Sequence, residues 1–332
     1  MCFALVEGEG DGVQLHEIEG HPFGEVTKTG RAWPLADVRL LAPMLPSKVV
    51  AIGRNYADHV KEVFKTSGES LPPTLFLKPP TAVIGPEAPI RIPDFATKVE
   101  FEGELALVIG KPCKNVKAAD AESVIFGYTI VNDVSSRDLQ FADGQWARAK
   151  GIDTFCPLGP WIQTELDYED LPIKAHLTQN GVTETKQDSN SNQMIMSIPE
   201  IIEFITASIT LLPGDVICTG SPAGTASMFP GDRIEIEIPG IGARFLASPQ
   251  GRTLPDLRGR GGVFACQSPN ARRTVRSFAV VSASSSSGLD SVTMPPPAHS
   301  RASVPAASIS AQRMETTNSP SPSESHQPTQ PA

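Results

Sequence analysis

Beyond residue 250 this chain lacks the means to build a core, and that break bounds what the remainder can fold into. Residues 251–332 hold sixteen Ser, ten Pro and eight Arg, no Lys, and only Phe264 and Phe278 as aromatics. A segment so poor in large apolar groups buries too little surface to offset the entropy of ordering it. Residues 249–332 are therefore expected to form a disordered Ser/Pro/Arg-rich tail. Its abrupt onset near Pro249-Gln250-Gly251 fits either a disordered extension or a frameshifted reading of a GC-rich gene. The core must come from the first 250 or so residues, which suffices for one large domain with a small appendage.

Charge follows the same division. The formal net charge of −9 combines a tail at +4 with a body at −13, the body holding thirty-three acids against twenty basic side chains. Such a body excludes nucleic-acid binding by global charge. The tail carries one RGG-like piece, Arg258-Gly259-Arg260-Gly261-Gly262, and the pair Arg272-Arg273, which is too little to make nucleic acid the expected partner. No apolar run approaches the roughly 18 residues of a membrane span. The start, Met1-Cys2-Phe3-Ala4-Leu5-Val6-Glu7, reaches an acid without a basic flank or long apolar core. A cytoplasmic location away from membranes is expected. The five cysteines are odd in number and form no CxxC pair, so they read as reduced thiols rather than zinc ligands or disulfides.

Short strand-like runs dominate the body. Residues 1–45 alternate brief apolar pieces with Gly, Pro and charge, as a small β cap would. A larger domain over 46–248 begins with the run Val49-Val50-Ala51-Ile52-Gly53. It continues through strand-like runs at Leu105 to Gly110, Gly127 to Val134, Lys174 to Thr178, Val216 to Thr219 and Arg233 to Ile238. Asn180-Gly181 between two extended runs marks a two-residue hairpin. Ser197 with Glu200 three residues on is a capping box opening a helix over Ile201 to Ile209, and a shorter helix is expected at Ala118 to Ile125. Strands do not alternate with helices as in a doubly wound fold, so the fold class is a β-rich α+β domain.

The stretch FEGELALVIG is the most informative chemically. Strand side chains alternate faces, so Glu102 and Glu104 project to the same side at the head of an apolar strand. Two such carboxylates repel unless a cation or proton lies between them, and a hard divalent ion such as Mg2+ or Mn2+ suits oxygen ligands. A solvated edge is the bland alternative. Asp133 follows a second apolar strand in GYTIVNDVSSRDLQ and is a third candidate ligand, or else a turn former. Arg137 and Gln140 are candidates for holding an anionic substrate, against a surface ion pair and a solvated amide. In GRNYADHVKE, a helix capped by Asp58 places His59 and Glu62 at i and i+3, so that the carboxylate can fix the imidazole tautomer and make a base; a packed histidine is the alternative. Lys150 could present its ammonium to a cavity, and the loop Cys218-Thr219-Gly220-Ser221 could cradle a carboxylate. GxSxG, HExxH and GxGxxG are absent from the body, which removes support for serine hydrolase, zinc protease and Rossmann readings.

Taken together in this order, these segments resemble the fumarylacetoacetate hydrolase family, from about Val49 to Gly242. The additional segments FLKPPTAVIGP, RAKGIDTFCPLGPW, LLPGDVICTGSPAG and PGDRIEIEIPGIG contribute to the match. The resemblance implies a mixed β-roll, usually a homodimer, with Mg2+ or Mn2+ in a cleft. It implies Glu102, Glu104 and Asp133 as metal ligands, His59 and Glu62 as a base dyad, and Arg137, Gln140, Lys150 and Thr219 along the substrate site. The motif around His59 is similar to the acylpyruvase branch, and the cap to bacterial 2-hydroxyhepta-2,4-diene-1,7-dioate isomerases. The implied substrate is a small 2-oxo acid, undergoing carbon–carbon hydrolysis, isomerisation or decarboxylation. A catalytically inactive, ligand-binding member is the competing reading.

Overall fold

The structure, a computed structural model, describes residues 1–8, 10–65, 72–243 and 276–283. The chain opens with four short strands, β1 (Cys2–Glu7), β2 (Gln14–Ile18), β3 (Lys28–Pro34) and β4 (Val38–Leu41). Next come β5 (Val49–Gly53), α1 (Ala57–Phe64), β6 (Thr74–Lys78), β7 (Val83–Ile84), β8 (Val99–Glu100), β9 (Gly103–Ile109) and β10 (Ile125–Asn132). Then follow β11 (Ser135–Ser136), α2 (Arg137–Asp143), α3 (Ala147–Lys150), β12 (Cys156–Gln163), β13 (Pro172–Gln179) and β14 (Val182–Asn190). The described chain closes with α4 (Ile198–Ser208), β15 (Val216–Cys218), β16 (Arg233–Ile238), β17 (Gly242–Ala243) and β18 (Ser277–Ala283). The architecture is β-rich α+β, with a few short helices around mixed and antiparallel sheets, in keeping with the expected fold class.

The main sheet runs β3-β2-β1-β18-β12-β10-β9-β15-β5-β6, and a smaller sheet runs β14-β13-β16-β17. The main sheet is mixed, because β5 and β15 are parallel while β9 is antiparallel to both β10 and β15. All seven residues of β9 are buried, as the central strand of a sheet covered on both faces requires. Alternation sends Leu105, Leu107 and Ile109 to one face, where they join Ile173, Ala175, Ile234 and Ile236 of the small sheet and Ile201, Ile202 and Ile205 of α4. Ala106 and Val108 face the other way and cluster with Val49, Ala51, Val131, Val216 and Cys218. Even-numbered positions of β9 and odd-numbered positions at the end of β10 thus share this second face.

Local signals account for several elements. The Ser197 N–H donates to the Glu200 carboxylate at 2.8 Å in the expected capping box of α4. Asn180 and Gly181 adopt φ of 52° and 81°, the left-handed pair that a tight hairpin between β13 and β14 demands. Asp215 is fully buried and accepts from Ser47 Oγ at 2.6 Å and from the Leu212 N–H at 2.7 Å, so its turn ties the start of β15 to the entry of β5. The helix expected at Ala118 to Ile125 is instead a 3-10 helix over Ala118–Val124. Lys117 at its N-cap offers no side-chain hydrogen bond, and β10 begins at once after it, which leaves no length for an α-helix to propagate. Asp58 does not cap α1. Tyr56 holds that position, and Asp58 lies in the first turn, paired with Lys61 at 3.0 Å.

The largest departure falls in the segment expected to be a disordered tail. Residues 249–275 and 284–332 of that tail lie outside the described residues, but Ser277–Ala283 is a strand. It pairs antiparallel with β1, β4 and β12. Phe278 is 2% exposed, against Leu5 and Ile18, while Ala279 and Val281 pack with Ala4 and Leu15. Composition averaged over the tail hides this short apolar run without proline. Its slot between β1 and β12 supplies both the hydrogen bonds and the burial that the run could not find alone. Phe278→Ala is expected to destabilise the full chain by about 3–5 kcal/mol in a denaturant titration.

Candidate metal centre

Strand register assembles the acid cluster. Glu104 lies opposite Val131, and the Asp133 N–H donates to the Glu102 carbonyl at 2.8 Å. Asp133 is therefore the cross-strand neighbour of Glu102, with Glu104 two residues further along the same face. All three are at most 3% exposed, and each offers a carboxylate oxygen within 4.8 Å of the others.

Three cations from three elements surround them. Lys150, at the end of α3, places Nζ 2.5 Å from Glu102 Oε2 and 2.7 Å from Asp133 Oδ2. Lys78, at the end of β6, donates to Asp133 Oδ1 at 2.6 Å and is fully buried. Arg137 opens α2 and spends its guanidinium within the wall, with Nε on Glu100 at 2.7 Å, one terminal nitrogen on Glu102 at 2.5 Å and the other on Gln140 Oε1 at 2.9 Å. This last bond orients the Gln140 amide and leaves its Nε2 as the donor for the cleft.

Glu104 is treated differently. It accepts the Gly220 N–H at 2.8 Å, and among the described residues no cationic side chain pairs with it. Gly220 has φ of 105°, and a Cβ there would come within 2.7 Å of Asn55, so glycine alone lets this amide approach. Burial, together with the charges of Asp133 and Glu102, pushes the Glu104 carboxyl well above the usual range. Burial acts the same way on Glu102, but Arg137 and Lys150 overcome it and hold that carboxyl well below the usual range. Glu104 is thus the corner that lacks a cation. An all-oxygen, anionic donor set with one uncompensated member fits a hard divalent ion.

His59 and Glu62 share one side of α1. The imidazole is 7% exposed, with Nε2 3.3 Å from Glu102 Oε1 and Nδ1 3.6 Å from Glu62 Oε2. Burial alone would lower its pKa, but the two carboxylates outweigh burial and raise it. Glu62 is anchored in turn by the Gly224 N–H at 3.0 Å.

These groups line a partly open cleft. Glu102, Glu104, Asp133, His59, Arg137, Gln140 and Lys150 all border it, together with Arg54 and Ser221. Thr219 stands behind the wall, fully buried, with its hydroxyl donating to the Leu105 carbonyl at 2.8 Å. Sequence reasoning passed over Lys78, Glu100 and Asn55. Asn55 holds the Thr219 loop by donating to the Thr219 carbonyl at 2.8 Å. The signal available for Glu100 was its place in an alternating Glu100-Phe101-Glu102-Gly103-Glu104 series, in which all three acids share a face.

Residues 48–244 match the family model described as fumarylacetoacetate (FAA) hydrolase C-terminal, and residues 1–43 match one described as Rv2993c-like, N-terminal. The chain belongs to the fumarylacetoacetate hydrolase family. It is 53% identical to Protein Rv2993c of Mycobacterium tuberculosis, over 73% of this chain and 91% of that protein. It is 39% identical to the mitochondrial oxaloacetate tautomerase FAHD2A of Bos taurus, over 63% and 69%. Among solved structures it is similar to Cg1458 with inhibitor, at 76% identity and TM-score 0.72, covering 74% of this chain and 93% of that one. A 2-hydroxyhepta-2,4-diene-1,7-dioate isomerase from Mycobacterium marinum matches at 50% identity and TM-score 0.68, covering 76% and 95%. A fumarylpyruvate hydrolase from Pseudomonas aeruginosa, in complex with Mn2+ and pyruvate, matches at 27% identity and TM-score 0.57, covering 67% and 93%.

The isolation of Glu104 yields a test by thermal melting. Mg2+ or Mn2+ is expected to raise the Tm of the unsubstituted chain, and Glu104→Gln to abolish that rise. In the presence of a chelator the same variant should melt slightly higher, because it removes one of three crowded, buried carboxylates.

Proposed function

We propose that this member of the fumarylacetoacetate hydrolase family catalyses keto–enol proton transfer on a small 2-oxo acid, with Glu102, Glu104 and Asp133 holding a divalent cation. The observation that carries the reading is the place of His59, an imidazole buried in the cleft wall between Glu62 and the acid cluster. The bound Mg2+ or Mn2+ supplies Lewis acidity that stabilises negative charge on the 2-oxo oxygen.

The remaining work falls to side chains of this chain. In the keto-to-enol direction His59 takes the proton from carbon 3 and delivers it to the 2-oxo oxygen, in the reverse direction it carries the proton back from that oxygen to carbon 3, and Glu62 orients the ring. Lys150 uses two of its three N–H donors on Glu102 and Asp133, which leaves one for a substrate oxygen. Gln140 offers Nε2 beside it. With all four acids ionised, Glu100, Glu102, Glu104 and Asp133 exceed Lys78, Lys150 and Arg137 by one negative charge. A divalent ion turns that into one positive charge, which favours an anionic substrate.

The names of the bovine tautomerase and the mycobacterial isomerase support proton transfer, and that of the fumarylpyruvate hydrolase supports cleavage. Carbon–carbon hydrolysis, in which water adds to the distal carbonyl before the bond to carbon 3 breaks, and decarboxylation of the keto acid both release an enolate of the kind that tautomerisation forms, so one cleft would serve each. The reading includes a cap at 1–45, a catalytic domain at 46–248, a homodimer and a cytoplasmic location.

The test uses the full chain with Mg2+ or Mn2+ against oxaloacetate, acylpyruvates and 2-hydroxydienedioates, with the enol followed by its ultraviolet absorbance. His59→Ala is expected to lower kcat by about 10²–10⁴-fold while keeping the metal-dependent rise in Tm. A folded, metal-binding chain that turns over none of these compounds would leave the inactive, ligand-binding reading in place.

A further inference from the structure

Arg54 differs from every other cation on the cleft. Lys150 and Arg137 are committed to acids of the cluster. Among the described residues no carboxylate lies within ion-pair range of Arg54, and its buried Nε has no hydrogen-bond partner. Aromatic faces hold the guanidinium instead, 4.9 Å from the Phe64 ring centroid and 5.6 Å from that of Trp146. Those two rings are nearly parallel, with centroids 6.2 Å apart and planes at 14°. Phe76 meets Trp146 edge-on at 5.3 Å, and Gly53 makes room for the indole because any side chain there would collide with it.

The backbone reinforces the same point. Arg54 has φ of 67°, a left-handed conformation that is strained for a long side chain and that clusters at functional positions. Stacking on aromatic rings leaves the edge of a guanidinium, with its fork of N–H donors, open to a planar anion. A half-buried cation with no anionic partner among the described residues raises the affinity of the cleft for a ligand that brings one.

We infer that Arg54 binds a second carboxylate of the substrate, distant from the 2-oxo acid group, so that the cleft prefers 2-oxo dicarboxylates over 2-oxo monocarboxylates. The inference rests on the proposed 2-oxo acid chemistry for the identity of the first group, while the preference itself is read by binding. Acylpyruvates with an apolar end leave Arg54 without a partner, whereas dioates and oxaloacetate supply one.

The matched probes are 2-oxoglutarate and 2-oxopentanoate, which share a five-carbon chain and differ in a terminal carboxylate against a methyl group. Calorimetry on the full chain with Mg2+ is expected to show at least tenfold tighter binding of 2-oxoglutarate. Arg54→Met should remove that difference by weakening 2-oxoglutarate alone, leaving 2-oxopentanoate and oxalate unchanged. Arg54→Lys, which keeps the charge without the fork, should retain part of it. Equal affinity for the two probes in the unsubstituted chain, or equal loss of both in Arg54→Met, overturns the assignment. If the chain discriminates as stated yet turns over no 2-oxo acid, the catalytic reading fails and the Arg54 site stands. If it turns over acylpyruvates without discriminating, the reverse holds.

Discussion

The buried charge cluster at the ends of β9 and β10 is the constraint around which the catalytic half is organised. Ions removed from water are costly unless each finds a partner of opposite sign and good geometry. Glu102 and Asp133 arrive on the central strands, but their partners come from elsewhere: Lys78 from β6, Lys150 from α3 and Arg137 from α2. Elements with little else in common are thereby held to one point. Loss of any one cation would leave each acid it served with a single cationic partner, whereas Glu104 has none among the described residues.

Much of this centre was legible in the sequence because strands have a period of two. Glu102 and Glu104 could be placed on one face from spacing alone, and Asp133 followed from its position after a second apolar strand. The capping box of α4 and the Asn180-Gly181 hairpin were legible for the same reason, being short-range rules with fixed offsets. Lys78 was not, since its meaning depends on a partner 55 residues away. Thr219 and Ser221 show a related limit. They sit two apart in an irregular loop where no period assigns a face, and Ser221 reaches the cleft while Thr219 faces Leu105. The helices α2 and α3 were missed because each is under two turns, too short to display an apolar stripe.

The cleft has two unlike ends. One is crowded with carboxylates and their cations, and its chemistry is set by hard, ionic ligands. The other is a pair of aromatic faces, Phe64 and Trp146, carrying the Arg54 guanidinium. Under the proposed function the first end would carry the chemistry that 2-oxo acids share, and choice among those acids would fall to Arg54, which takes no part in bond making.

The strand β18 also imposes an order in time. Its hydrogen bonds join β1, among the first residues to be synthesised, to a segment made some 275 residues later. Until that segment has emerged, β1 and β12 each present an open edge. The nascent chain therefore carries both open edges from the synthesis of β12 until that of β18, and the β1 edge for longer still. Closure of the main sheet is a late event, and aggregation during synthesis competes directly with it.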